Sequence, residues 1–182
     1  RDLPAKDVDA MFRALHTVFR TNSEFLRALQ EIGPNPSSPK GLGNLLMHWI
    51  DTLQPPYSHY IDVYTPHLDT RPDIAHHVRL PSVLQNVNRQ IPRNDYPTGW
   101  TLDRFFELPI LRLVFYKKLY GRLLRNAQPG RSDHTLLLTA NEKLDALNQR
   151  AQRQKSSLGS IPANQKGLVS TSSPLPTEPR LM

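Results

Sequence analysis

The residues of this chain that could do chemistry are few and poorly spaced for it. His48 and Asp51 stand three apart in a helical segment, and His76 and His77 are adjacent. A metal ion needs three or four converging ligands, and neighbouring histidines on a helix diverge, so no metal site is expected. Gly41-Leu42-Gly43 lacks the third glycine and the preceding strand of a dinucleotide-binding turn, and no phosphate loop with Gly-Lys-Ser/Thr occurs. Cysteine is absent, which excludes thiol catalysis, a disulfide scaffold and thiolate zinc sites. Paired carboxylates for acid–base work are not evident, and many of the serines fall near the C-terminus. We therefore expect no catalytic side chains, no metal and no cofactor. Tyr57, Tyr60 and Tyr64 could stack nucleobases, but their helical spacing on a face shared with Ile61 fits core residues. Without a helix-turn-helix or zinc-finger pattern, no nucleic-acid partner is expected.

Recognition is what remains, and the charge says where. The net charge is +7 over 182 residues. Residues 1–88 hold 8 Lys/Arg against 9 Asp/Glu, whereas residues 89–155 hold 13 against 6, a local excess of +7. That segment should attract an acidic partner or form a solvated basic helix face. Hydrophobic residues make up 38%, below the roughly 45–50% of an ordinary soluble domain, so part of the chain should lie outside any packed core. No apolar run approaches a membrane span, and Arg1-Asp2-Leu3-Pro4 is not a signal peptide. Arg1 in place of an initiator Met suggests a fragment of something longer, and the absence of cysteine fits a reducing, intracellular setting.

The elements that position these residues read as helices throughout. Val8, Met11, Phe12, Leu15, Val18, Phe19, Phe25, Leu26 and Leu29 keep a 3–4 spacing, which predicts about seven turns between Pro4 and Gly33-Pro34. After a Pro/Ser-rich connection through Pro39, a second stripe runs over Leu45, Leu46, Trp49, Ile50 and Leu53 and resumes beyond Pro55-Pro56 with Tyr57, Tyr60, Ile61 and Tyr64. One kinked helix or two helices would both satisfy it. Short helical pieces are expected around Asp73–Leu80 and Ser82–Gln90. Thr101 can cap a helix over 101–126 with Leu102, Phe105, Phe106, Ile110, Leu113, Tyr116 and Leu123 inside. Leu108, Leu111, Phe115 and Leu119 make a second apolar stripe on that helix, so it is enclosed by neighbours or presents one side to a partner. Pro109 should bend it or mark its first turns. Leu137, Ala140, Leu144, Leu147 and Ala151 predict a last helix opening at Asp133. The expected fold is an all-α, elongated antiparallel bundle over 1–155, followed by a disordered linker or tail over 156–182.

These helices resemble the Dbl-homology domain of Rho-family guanine nucleotide exchange factors. The signature of that family is an apolar pair, then Lys-Pro-Val-Gln-Arg, an apolar residue, a Tyr and a leucine-rich run. Here the corresponding stretch is Phe105-Phe106-Glu107-Leu108-Pro109-Ile110-Leu111-Arg112-Leu113-Val114-Phe115-Tyr116, with Leu119, Leu123 and Leu124 beyond it. Pro109, Arg112 and Tyr116 fall in register, while the signature Lys and Gln are Leu108 and Leu111. Met11-Phe12 through Asn22-Ser23-Glu24-Phe25-Leu26 resembles the family's second helix, and Gly43 through Tyr60 the third. The resemblance covers roughly residues 7–155 and leaves out the family's first conserved helix, which carries a Glu used in exchange.

What the resemblance implies is a Rho-family small GTPase as partner and release of its nucleotide, with no covalent step. It places Phe106, Lys117, Gly121 and Arg125 on the signature helix, and Gln149 and Gln152 on the last, toward the GTPase. It also puts the family's basic position on Gly121, with Lys117, Lys118 and Arg122 close by, and its Asn position near Gln152. The competing expectation is a non-catalytic helical module of the same fold that binds a GTPase, a cortical protein or an anionic membrane. A cytoplasmic location is expected, with recruitment to the cell cortex or plasma membrane through a neighbouring domain.

Overall fold

Every long apolar stripe in the sequence becomes a helix. The computed structural model describes residues 6–32, 39–91 and 99–159. Four long helices dominate: α1 (Lys6–Ile32), α2 (Pro39–Val63), α5 (Leu102–Asn126) and α6 (Ser132–Gly159). A 3-10 turn (Leu68–Thr70), α3 (Pro72–Ala75) and α4 (Leu80–Gln90) lie between α2 and α5, and no strand occurs among the described residues. At 1.5 Å per residue the long helices extend about 40 Å each, so the bundle is elongated.

Three local details decide these elements. Pro55 and Pro56 leave α2 continuous, which settles the choice between one helix and two. The carbonyls they strand belong to Asp51 and Thr52, both exposed, so water can satisfy them. Thr101 caps α5 as expected, its side chain accepting from Arg104 N. Pro109 sits buried inside α5, and the helix continues through it. Elsewhere the expected boundaries move. α2 begins at Pro39, α3 stops at Ala75 short of Leu80, and α6 starts at Ser132. α6 also runs to Gly159, so residues 156–159, assigned to a disordered tail, are helical. The remainder of that tail, 160–182, lies outside the described residues, as do the first five residues and the connections 33–38 and 92–98.

Chain directions follow from the contacts. Phe25 stacks on Trp49, Asn22 meets Tyr57 and Met11 meets Thr65, so α1 and α2 are antiparallel. Lys117–Asp145 and Glu107–Lys155 make α5 and α6 antiparallel as well. Asp51–Lys143 and Asp62–Arg150 align α2 with α6 in parallel. α1 packs on α2, α2 on α6 and α6 on α5, and a lighter α1–α5 contact closes the ring.

Inside, Trp49 is the hub. Its ring stacks on Phe25 at 3.9 Å, meets Tyr116 edge-on at 4.4 Å and lies over Tyr120 at 6.0 Å, which ties α1, α2 and α5 together. Tyr57, Tyr60 and Tyr64 are buried, as their spacing indicates, and burial pushes the Tyr64 hydroxyl up to about 12. Two buried tyrosine hydroxyls donate to carbonyls of a neighbouring helix, Tyr60 to Phe106 O and Tyr120 to Leu46 O at 2.8 Å. Tyr116 donates to Asn22 Oδ1 at 2.5 Å, and Asn22 Nδ2 donates to Tyr57 Oη at 3.2 Å. Asn22, the one polar slot in the α1 stripe, thereby joins α1, α2 and α5. Tyr120 lies outside the expected core stripe yet is fully buried, whereas Leu102, Phe105 and Leu123 are only half-buried.

The entry to α5 is pinned by a reciprocal exchange of carboxylates. Asp103 accepts from Leu68 N and Asp69 N, while Asp69 accepts from Leu102 N and Asp103 N. Burial alone would raise the Asp69 carboxyl, but hydrogen bonds from Thr101 and these amides outweigh it and hold the group below its ordinary value. Burial pushes Asp103 the other way, and the neighbouring Asp69 charge adds to the rise.

Tyr116→Ala should destabilise the bundle by about 3–5 kcal/mol, as ring deletions from a core do, and Tyr116→Phe by about 1 kcal/mol for the lost hydroxyl bond. Urea denaturation followed by circular dichroism measures both. A loss below about 1 kcal/mol for the alanine variant would place this ring outside the core.

Candidate functional site

Part of the basic excess of residues 89–155 lies where α5 runs beside α6. Lys117, Lys118, Gly121, Arg122 and Arg125 on α5 face Asn141, Glu142 and Asp145 on α6 across an open groove floored by Val114, Leu124 and Leu138. Lys117, Gly121 and Arg125 recur every four residues and so share one side of α5. The core dictates which side. Tyr116 and Tyr120 point inward, so each residue immediately after them is rotated about 100° toward α6.

Lys117 reaches across to pair with Asp145, the two side chains 47% and 38% exposed. Gly121 leaves a gap in the cationic wall. Its backbone is ordinary helix, and a Cβ built there meets nothing nearer than Arg125 Nη1 at 3.9 Å. No conformational demand requires glycine at this position, and a side chain would fit.

The six residues assigned to the partner surface divide into three groups. Lys117, Gly121 and Arg125 come together in the groove. Gln149 and Gln152 are exposed on α6, at i+4 and i+7 from Asp145, and continue the same side of that helix beyond the groove. Phe106 is a correction: it is 2% exposed, packed edge-on against Phe12 at 5.0 Å and bonded through its carbonyl to Tyr60. Helical phase does align it with Lys117. However, α1 and α2 cover that side of α5 at the level of Phe106, which leaves it nothing to offer a partner.

Asp145 and Glu142 are groove residues that no assignment from sequence included. The pairing of Asp145 with a lysine 28 positions earlier is a tertiary fact that depends on how α5 and α6 meet. The three signature positions in register are structural. Pro109 and Tyr116 are buried, and Arg112 Nε donates to Tyr116 Oη at 3.1 Å with its guanidinium 5.0 Å from the Phe115 ring centroid.

The second apolar stripe of α5 is also a surface. Leu108, Leu111 and Phe115 are exposed and, with Phe19 of α1 at 68% exposure, line a shallow apolar groove between α1 and α5. Leu119, the fourth residue of that stripe, is half-buried. Phe12 and Leu26 extend the exposed apolar line along α1 at seven-residue spacing from Phe19. Among the described residues no three His, Asp or Glu side chains converge as metal ligands. Asp51 is engaged by Lys143, and His77 Nδ1 accepts from Arg79 N. No helix among them is long and apolar enough to cross a membrane.

Comparison with known proteins agrees with this architecture. Rho guanine nucleotide exchange factor 37 of Rattus norvegicus is 24% identical over 156 residues, covering 85% of this chain and 23% of the relative. Rho guanine nucleotide exchange factor 37 of Homo sapiens is 25% identical over 162 residues, with the same coverage on both sides. The chain thus spans about a quarter of the length of these curated relatives. No solved structure matches it significantly. The profile of the RhoGEF domain matches residues 2–152, from the start of the chain through the groove to the last buried turns of α6, and this helical bundle belongs to the RhoGEF domain family.

Proposed function

We propose that this chain is a guanine nucleotide exchange module for a Rho-family small GTPase, and that the α5–α6 groove meets the switch region of that GTPase. Family membership supports a small GTPase as the general class of partner. The observation that carries the finer reading is the alignment of Lys117, Gly121 and Arg125 on one groove wall, continued by Gln149 and Gln152. Cations and amides on rigid helices can orient a partner loop, while the apolar floor adds affinity.

Exchange then needs no bond-making residue. A GTPase holds its nucleotide through phosphate and Mg²⁺ contacts closed over by switch loops. A surface that binds the nucleotide-free state most tightly shifts the population toward it, and nucleotide leaves. Cytoplasmic action, with delivery to the cell cortex or plasma membrane by a neighbouring domain, belongs to the same reading. Gly121 favours a second reading for the isolated chain, in which it docks a GTPase and releases nucleotide weakly, because the family's basic position is empty.

Release of a fluorescent nucleotide from a panel of purified Rho-family GTPases tests both. Lys117→Glu should abolish binding and exchange while costing no more than about 1 kcal/mol of stability, as surface charge changes do. Unchanged binding by this variant would remove the groove from the interface. Gly121→Ala should stabilise by about 0.5–1 kcal/mol through helix propensity and leave exchange alone. Gly121→Lys should raise the exchange rate above both. If it matches the alanine variant, a basic group at this position does nothing.

A further inference from the structure

One cation of the groove wall is engaged within the molecule. Lys118, Arg122 and Arg125 make no ion pair among the described residues, whereas Lys117 is held by Asp145 across the groove. Three further ion pairs of α6 among the described residues, Lys143–Asp51, Arg150–Asp62 and Lys155–Glu107, lie outside the groove and place the cation on α6. Lys117–Asp145 reverses that polarity, with the acid on α6. Asp145 follows the fully buried Leu144 and lies two residues before the buried Leu147. Its backbone is therefore fixed, and it cannot follow a lysine drawn away toward a docked surface.

We propose that Asp145 is a latch on the partner surface: it occupies Lys117 in the free protein, and an acidic group of the GTPase must displace it to dock. The proposal rests on the reading that this groove meets the GTPase. Its physical content is competition of two carboxylates for one ammonium. Both latch residues are partly exposed, so the pair is weak enough to open, shifting an equilibrium by no more than about fivefold. The cost of opening the pair is the same for every partner that takes Lys117, so it lowers the affinity of all of them alike. Asp145 is thus a residue that sets affinity by engaging Lys117 and need not touch the partner itself.

The test titrates the 182-residue chain and its variants against a nucleotide-free Rho-family GTPase, the tightest binder of a panel, at low and at high salt. Asp145→Asn should tighten binding about two- to fivefold at low salt, and less at high salt, where the exposed pair is already screened. In a Lys117→Ala background the same substitution should do nothing, because there is no ammonium to release. Asp62→Asn, which breaks the Arg150 pair away from the groove, should leave affinity unchanged in either background.

Weaker or unchanged binding by Asp145→Asn, with Lys117→Glu still abolishing binding, overturns the latch and leaves the groove reading intact. A gain that persists without Lys117 also overturns it, since removal of any negative charge would then explain the effect. If the chain binds no GTPase, or Lys117→Glu binds as the parent does, the groove reading fails and takes the latch with it.

Discussion

Trp49 and the two tyrosines it holds set the rotation of α5, and both candidate surfaces follow from that rotation. With Tyr116 and Tyr120 locked inward, four residues apart, the phase of the helix is fixed over its second half. The residues one step later, Lys117 and Gly121, turn to α6. Those one step earlier, Phe115 and Leu119, turn the other way, and Phe115 faces the groove that α5 makes with α1. The hydroxyls sharpen the setting, since a Tyr116 or Tyr120 out of phase would lose its bond to Asn22 or Leu46. A one-residue slip of α5 would bury an ammonium, a cost far above any packing gain. The aromatic cluster is therefore as much a positioning device for the two candidate surfaces as a source of stability.

The two grooves differ in the contacts they could offer a partner. The α5–α6 groove is cationic on one wall and acidic on the other, which suits orientation and encounter with an oppositely patterned surface more than tight binding. The α1–α5 groove carries large apolar side chains in the open, the more usual source of affinity. Their separation by a single rigid helix means that a ligand on one groove is sensed at the other only if α5 itself turns, and the aromatic anchor opposes that.

Much of this was legible in the amino-acid sequence because period and capping are local properties. The stripe of α1, the cap at Thr101 and the buried series Leu137 to Ala151 needed only spacing and side-chain chemistry. The burial of Tyr57, Tyr60 and Tyr64 came from the same arithmetic. Phe106 was misplaced because helical phase says which residues share a side and not what covers that side at each level. Tyr120 was missed for the converse reason: a tyrosine beside lysines reads as amphipathic surface until a carbonyl on another helix is available to its hydroxyl. The end of α6 was set too early because serines and a lysine break the apolar period without breaking the helix. Lys117 and Asp145 were each visible as polar residues, but their meeting depends on the antiparallel register of α5 and α6.

The reciprocal capping between Asp69 and Asp103 has a consequence for how this fold can vary. By joining residues 68–69 to 102–103, it closes the intervening stretch at its base, so the chain leaves the bundle and returns at nearly the same point. The helices inside that excursion, α3 and α4, contain no fully buried residue. Loop-closure entropy grows only with the logarithm of length, about 0.6 kcal/mol for each doubling. Whole segments could be inserted or removed there at small thermodynamic cost, with α5 still starting from the same clamp. The excursion is thus the region where relatives of this bundle are freest to change length without moving the surface that α5 presents.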